Sequence, residues 1–379
     1  MNDRHYLRHF APASALFVVA LSGCNYIADL REEKPGIRLS QLQTEPGYRV
    51  SVFASDIPQA RHMVLTPRGT LFVGTFAGEV HALSLEGSRI TARRVVASGL
   101  THPSGVTFAN GALYVADRTR IVRYEQIESR LDSPPAPITT VNGLPDNKRH
   151  DAHAMAIGPD GKLYVAVGAP CDTCEVKGDE YGVIIRTEPD GSRREVVARG
   201  IRNSVGFGWH PVTKALWFTD NGPDGFGTDR PNDELNEVRR VGEHFGFPHC
   251  HDGKIPDPKF GINRSCSEFS APAFGLGARV AALGMRFVEA PNANPANPSI
   301  LIARHGSHPP ARVGYDVVRV TFADNRPVRM EPFLSGFLQG REYWGRPVDV
   351  QLLPDGSVLV TDDLNGAIYR VAPTASTNR

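Results

Sequence analysis

Four short clusters carry side chains able to do chemistry. The first is Arg149-His150-Asp151-Ala152-His153. Histidine has the ordinary proton affinity nearest neutrality, so a segment holding His150 and His153 is a candidate proton acceptor. The second, Arg202-Asn203, sets a fixed cation beside an amide, a pair suited to a carboxylate or a carbonyl oxygen. The third runs from Asp220-Asn221-Gly222-Pro223-Asp224-Gly225 to Asn232-Asp233-Glu234-Leu235-Asn236. Its dense carboxylates and the carbonyls of a Gly-Pro turn are what a hard cation such as calcium takes. It is not an EF-hand, because Pro231 stands where that loop needs a bidentate Glu. The fourth, Tyr343-Trp344-Gly345-Arg346-Pro347, puts another cation beside aromatics. Each has a plain alternative: a bystander histidine, a solvated arginine, an acidic turn without metal.

These clusters need a frame, and the sequence supplies one by repetition. A phrase recurs: an apolar pair, a Pro-Asp-Gly-like turn, a strand ending in Val and a small residue, then a second short strand. It stands as MVLTPRGTLFVGTFAGEVHAL from Met63, GVTFANGALYVADRTRIVRY from Gly105 and MAIGPDGKLYVAVG from Met155. It returns as VGFGWHPVTKALWFTDNG from Val205, as LGMRFVEAP and SILIARHG from Leu283 and Ser299, and as VDVQLLPDGSVLVTDDLNGAIYRV from Val348. Alternation broken by tight turns at Arg68-Gly69, Asp160-Gly161 and Asp355-Gly356 reads as antiparallel strand pairs. Successive starts lie about 40 to 80 residues apart, and the shorter intervals suit one four-stranded blade each. Six units predict an all-β chain folded as a six-bladed β-propeller, with residues 223–281 as its largest insertion. The strand-like YRVSVF from Tyr48 is expected to complete the sixth blade and close the ring. A generic β-sandwich is the alternative. Loops on one face of a propeller surround its channel, where a ligand sits by default.

Composition agrees with short strands: 37 Gly and 30 Pro among 379 residues exceed the usual share of turn formers. The 42 Lys and Arg nearly cancel the 41 Asp and Glu with no run of one sign, which excludes a nucleic-acid footprint and an acidic tail. Residues 1–23 read as a lipoprotein signal peptide: Arg4 and Arg8, an apolar stretch of about ten residues too short to span a bilayer, then Leu21-Ser22-Gly23-Cys24. Cys24 is then the acylated mature N-terminus, residues 24–46 a tether, 47–372 the propeller and 373–379 a tail. With no Asp after Cys24, the expected location is the periplasmic face of the cell envelope, at the outer membrane, held by lipid alone. A plain secretory signal with a chance cysteine is the alternative. Export and an even count favour disulfides among Cys171, Cys174, Cys250 and Cys266, paired as 171–174 and 250–266. A zinc site using His249 and His251, or a redox motif at Cys171-Asp172-Thr173-Cys174, are the rivals. Glu175 stands where haem attachment needs His.

Taken in order, HxxxxMAIGPDGKLYV, RGIRNSVGFGWHP, LWFTDNGPD with DELN, HFGFPHC and WGRPVDVQLLPDGS resemble the glucose/sorbosone dehydrogenases, from about Gly47 to Val371. The resemblance implies a six-bladed propeller that oxidises a sugar or sugar aldehyde with pyrroloquinoline quinone (PQQ) and calcium. It implies His150 as general base, Arg202 and Asn203 on the quinone, the Gly222 and Pro223 carbonyls on calcium, and Arg346 on a cofactor carboxylate. Gly168-Ala169-Pro170-Cys171 and the segment around Cys250 and Cys266 look like the sorbosone branch. Soluble glucose dehydrogenases are expected to carry an acid at the position of Ala169 to orient the base. The family's lysine in the fifth unit has only Arg304 as a stand-in, and His153 is a second candidate base. The expected partners are the sugar and an external electron acceptor. Two rival readings are a non-catalytic propeller that binds a ligand or partner, and a calcium-dependent lactonase. The second wants more converging acids than the Asp220 segment offers.

Overall fold

The computed structural model describes residues 36–146, 148–288, 297–309 and 311–374; the lipobox with Cys24 lies outside them. Six antiparallel sheets follow one another along the chain. Blade 1 comprises Ala60–Leu65, Thr70–Thr75, Val80–Glu86 and Arg89–Ala97, and blade 2 comprises Val106–Ala109, Ala112–Asp117, Arg120–Tyr124 and Ile138–Asn142. Blade 3 is Met155–Ile157, Leu163–Val167, Val183–Thr187 and Glu195–Arg199; blade 4 is Phe207–Trp209, Leu216–Asp220, Asn232–Val238 and Phe274–Ala278. Blade 5 is Ala282–Val288, Ser299–Arg304, Asp316–Ala323 and Arg326–Ser335. Blade 6 takes Pro347–Leu352, Val358–Asp362 and Ala367–Pro373, and its fourth strand is Tyr48–Ala54, with Tyr48 opposite Pro373. The ring is therefore closed by the upstream segment, as the sequence predicts.

The burial pattern explains why the strands read as they do. Second strands such as Thr70–Thr75, Leu163–Val167 and Val358–Asp362 are buried at every position, because a neighbouring blade covers each face. The outer strand Arg89–Ala97 instead alternates exposed and half-covered residues as far as Val95 and is buried only at Val96 and Ala97. Each pair of neighbouring blades shares its own apolar cluster, and one of them joins Leu301 and Phe333 of blade 5 to Val350 and Tyr369 of blade 6. Each such side chain contributes about 1.5–3 kcal/mol by leaving water. Innermost strands meet around a central channel lined by His62, Val106, Met155, Phe207, Met285 and Asp349, one from each blade. Gly284 is needed there, since a Cβ would run into Asp349 of the next blade.

Two features differ from the sequence expectation. The span 223–281 is not a single insertion, since it contains the third and fourth strands of blade 4. The true excursion is shorter, and its Glu243–His244 adds a parallel strand to the outer edge of blade 3, with Glu243 opposite Ala198. Upstream of Gly47, Gln43–Thr44 pairs with Ser335 and Leu334 on the edge of blade 5. Both cysteine pairs form the expected disulfides, Cys171–Cys174 and Cys250–Cys266. No helix among the described residues is long and apolar enough to cross a membrane.

Candidate active site

In each blade the first strand begins, and the second ends, on the same face. His150 precedes the first strand of blade 3, Arg202 and Asn203 that of blade 4, and Arg346 that of blade 6. Gly222 and Pro223 follow the second strand of blade 4. These six residues thus lie on one rim of the channel, gathered into two groups.

The first group belongs to blades 3 and 4. His150 Nδ1 lies 2.7 Å from the Ala169 carbonyl oxygen. A carbonyl only accepts, so Nδ1 carries the proton and Nε2 the lone pair. Burial, then the Arg202 charge, lowers the proton affinity of His150 to a pKa of about 4, so the ring is neutral at neutral pH. Gly168 lets His150 and Asn203 approach each other: a Cβ there would lie 2.6 Å from His150 Cβ and 3.1 Å from Asn203 Oδ1. Arg202 is buried, with Nη1 donating to Asn221 O (3.0 Å), Nε to Asp172 O (2.8 Å) and Nη2 to Asp172 Oδ1 (2.6 Å). The N–H groups of Arg202 and Asn203 both donate to the Asp220 carboxylate, at 3.0 and 2.6 Å. Gly222 N–H donates to Asp233 Oδ1 at 2.9 Å.

Behind that turn lies a wall of buried acids, with Arg202 as the cation acting on Asp220 and Asp233. Asp220 stands directly opposite Glu234 across the strand ladder, and both are buried. Burial raises the proton affinity of both, and for Glu234 the facing Asp220 adds to it. Burial also brings Asp233 up to about 6. The side-chain oxygens of Asn221 and Asn236 are buried without a hydrogen-bond partner among the described residues. Unmatched oxygen acceptors beside crowded carboxylates fit a hard cation held at the Gly222-Pro223 turn.

The second group belongs to blades 5, 6 and 1 and centres on Asp363. Its carboxylate accepts from Arg346 Nε (2.9 Å), Arg61 Nη1 (3.0 Å) and His305 Nε2 (3.1 Å). Burial opposes its ionisation, but the His305 ring and the Arg61 and Arg346 guanidinia outweigh burial and hold Asp363 well below the usual carboxylate range. Arg346 N–H is fixed by Asp362 Oδ1 at 3.0 Å. Arg304 does not join this group: it forms a two-point pair with Asp316 (2.7 and 2.5 Å), and its neighbour His305 takes the rim position instead.

His153, the second candidate, does not join either group. It is buried, and its two ring nitrogens lie 2.9 Å from the carbonyl oxygens of Ala166 and Arg118, where it ties blade 3 to blade 2. Asp172, Asp363, His305 and Arg61 are the residues that sequence reasoning missed. The Asp362-Asp363 pair ends a second strand just as Asp220 does, so the repeat itself carried that signal.

Fold and site together define a propeller whose rim presents a neutral imidazole, guanidinia and an acidic, oxygen-rich turn. The glucose/sorbosone dehydrogenase family model matches residues 106–370, and the chain belongs to that family of oxidoreductases. An uncharacterized protein of Borreliella burgdorferi is 28% identical over 350 residues, covering 88% of this chain and 91% of the relative. The fold is similar to the holo PQQ domain of pyranose dehydrogenase from Coprinopsis cinerea, at 17% identity and a TM-score of 0.75, covering 87% of this chain and 97% of that one. It is also similar to the PQQ-bound aldose sugar dehydrogenase of Streptomyces coelicolor, at 19% identity and a TM-score of 0.63, covering 87% and 99%.

Proposed function

We propose that this protein oxidises an aldose or a sugar aldehyde of the sorbosone type, using PQQ and calcium, with His150 accepting the substrate proton. The observation that carries the reading is the neutral imidazole of His150, with its Nδ1–H on the Ala169 carbonyl, beside Arg202 and Asn203. When bound, PQQ supplies a quinone that accepts hydride, and calcium supplies the charge that polarises it. The residues to hold them are Arg202 and Asn203 for the quinone oxygens, the Gly222 and Pro223 carbonyls for calcium, and Arg346 for a cofactor carboxylate. His150 takes the proton of the aldose hydroxyl, or of a hydroxyl of the hydrated aldehyde, at Nε2, and the Ala169 carbonyl then stabilises the imidazolium. No charged partner has to move for this to happen. An alanine at 169 in the setting Gly168-Ala169-Pro170-Cys171 supports the sorbosone branch. Reoxidation falls to an external acceptor, because the Cys171–Cys174 segment lacks a haem-attachment histidine. The sequence Leu21-Ser22-Gly23-Cys24 supports cleavage after residue 23, acylation of Cys24 and a periplasm-facing lipid anchor, with the tether and propeller following.

Reconstitution tests the reading. Purified apoprotein should bind PQQ only with calcium, lose it to a chelator, and reduce a dye with aldoses or sugar aldehydes. Equal PQQ binding in chelator would remove calcium from the Gly-Pro turn. PQQ binding without turnover of any sugar would favour a ligand-binding propeller.

A further inference from the structure

The loop closed by the Cys171–Cys174 disulfide carries one acid, and that acid reaches the candidate site three times. Asp172 accepts from Arg202 through its carbonyl oxygen (2.8 Å) and its carboxylate (2.6 Å), and from Arg149 Nη2 at 3.1 Å. Arg202 is the buried cation next to the base, and Arg149 is the base's chain neighbour. We infer that Asp172 is the positioning residue of this site: it aims the Arg202 guanidinium and balances its charge beside His150. The inference rests on the function proposed above for what Arg202 would hold, but not for the contacts themselves.

Three observations carry the argument. At position 169 the chain has Ala, so no side-chain carboxylate orients His150 from there; the backbone carbonyl does. A carbonyl fixes the ring but brings no net charge. The nearest acid on that loop is Asp172, and it acts on His150 through the two arginines. Among the charges felt by His150, Arg202 and Arg149 lower its proton affinity and Asp172 raises it. Against the cost of burial, Arg202 and Arg149 hold Asp172 below the usual carboxylate range, so it is ionised throughout the working pH range. A disulfide spanning three residues gives the loop few alternative conformations, which suits a group that must hold another at 2.6 Å.

The test separates charge from shape. Asp172→Asn keeps a side-chain oxygen for Arg202 but removes the charge, and Asp172→Ala removes both, leaving only the backbone carbonyl on Arg202 Nε. A hydrogen bond to a charged group is worth about 1.5–3 kcal/mol, so Asp172→Ala should weaken calcium-dependent PQQ binding by roughly ten- to a hundredfold, read by fluorescence quenching. Asp172→Asn should lose less affinity. In both apoproteins the His150 ring, followed by NMR, should titrate at lower pH than in wild type, because the Arg202 charge is then unbalanced. Asp172→Glu should restore part of both. A loop role that is only structural would lower the melting temperature without moving the His150 titration. Asp172→Asn that binds PQQ as wild type does, with His150 titrating at the wild-type pH, would overturn the inference. If wild type binds no PQQ, the proposed function falls, and the apoprotein titration alone decides the role of Asp172.

Discussion

Replacing Asp363 by Asn should cost this protein several kcal/mol, because the change strands buried positive charge. The carboxylate accepts from Arg61, Arg346 and His305 on three different blades, so it also ties the seam where the ring closes. Side chains of Arg61 and Asp363 are only 6% and 7% exposed. Removing one partner of a buried ion pair costs about 3–5 kcal/mol. Arg346 is 27% exposed and can turn to water, which favours the lower end, about 3 kcal/mol. Domains of about 150–250 residues lose about 2–4 °C per kcal/mol and larger ones less, so a fall of about 4–8 °C is expected in thermal unfolding followed by circular dichroism. Glu86→Gln is the control: Arg89 and Glu86 are 72% and 75% exposed, and the change should stay within about 0.5 kcal/mol. The pH dependence has a definite sign. Asp363 is held below its unfolded proton affinity, so its contribution is complete above the ordinary carboxylate range near 4 and is lost as pH falls further. The gap between wild type and Asp363→Asn should therefore be full at pH 7 and shrink below about pH 4. A variant melting within a degree of wild type at pH 7 would refute the reasoning, since the cluster would then not be a desolvated charge network.

Two further outcomes are expected. His150→Ala should lose about 10²–10⁴-fold in kcat while calcium-dependent PQQ binding stays near wild type; the acid limb of wild-type kcat/KM should fall near pH 4, as the base protonates. An inactive His153→Ala beside an active His150→Ala would place the base wrongly. Cys24→Ser should move the protein from the membrane to the soluble periplasmic fraction, and unchanged partition into detergent would remove the lipid anchor.

Most of the fold was legible because its units repeat. A blade must be apolar on both faces in its second strand, and Leu163–Val167 and Val358–Asp362 announce that in five residues each. Turns such as Asp160-Gly161 need a glycine with positive φ, and Gly161 has φ 75°. The closing strand was legible for the same reason, being an unpaired alternating segment upstream of a last unit one strand short. Glu243–His244 was not, because two residues on the edge of blade 3 carry no periodicity. Nor was the choice between Arg304 and His305, which turns on which of two adjacent residues faces the rim when the second strand of blade 5 ends.

The site was legible in its types but not in its supports, and the supports share one device. In blades 2, 4 and 6 the second strand ends in an aspartate: Asp117, Asp220 and Asp362. Each accepts backbone N–H groups from the loop that leads into its own blade. Asp117 takes Thr101, Asp220 takes Arg202 and Asn203, and Asp362 takes Arg346. Backbone donors at a rim have no strand partner, and a carboxylate satisfies them while fixing where the next side chain points. That is why Arg202, Asn203 and Arg346 are fixed on rim loops that a strand pattern leaves undefined. In blade 3 the second strand runs into Val167-Gly168 instead, and the loop there is held differently, by the Ala169 carbonyl on His150 and by Asp172 on Arg149 and Arg202. Blades 1 and 5 lack the aspartate too, their second strands ending in Thr75 and Arg304, and in blade 3 its absence falls beside His150. A carboxylate capping that loop would sit against His150 and raise its proton affinity by a full charge, whereas the Ala169 carbonyl orients the ring with an upward pull that burial and Arg202 outweigh.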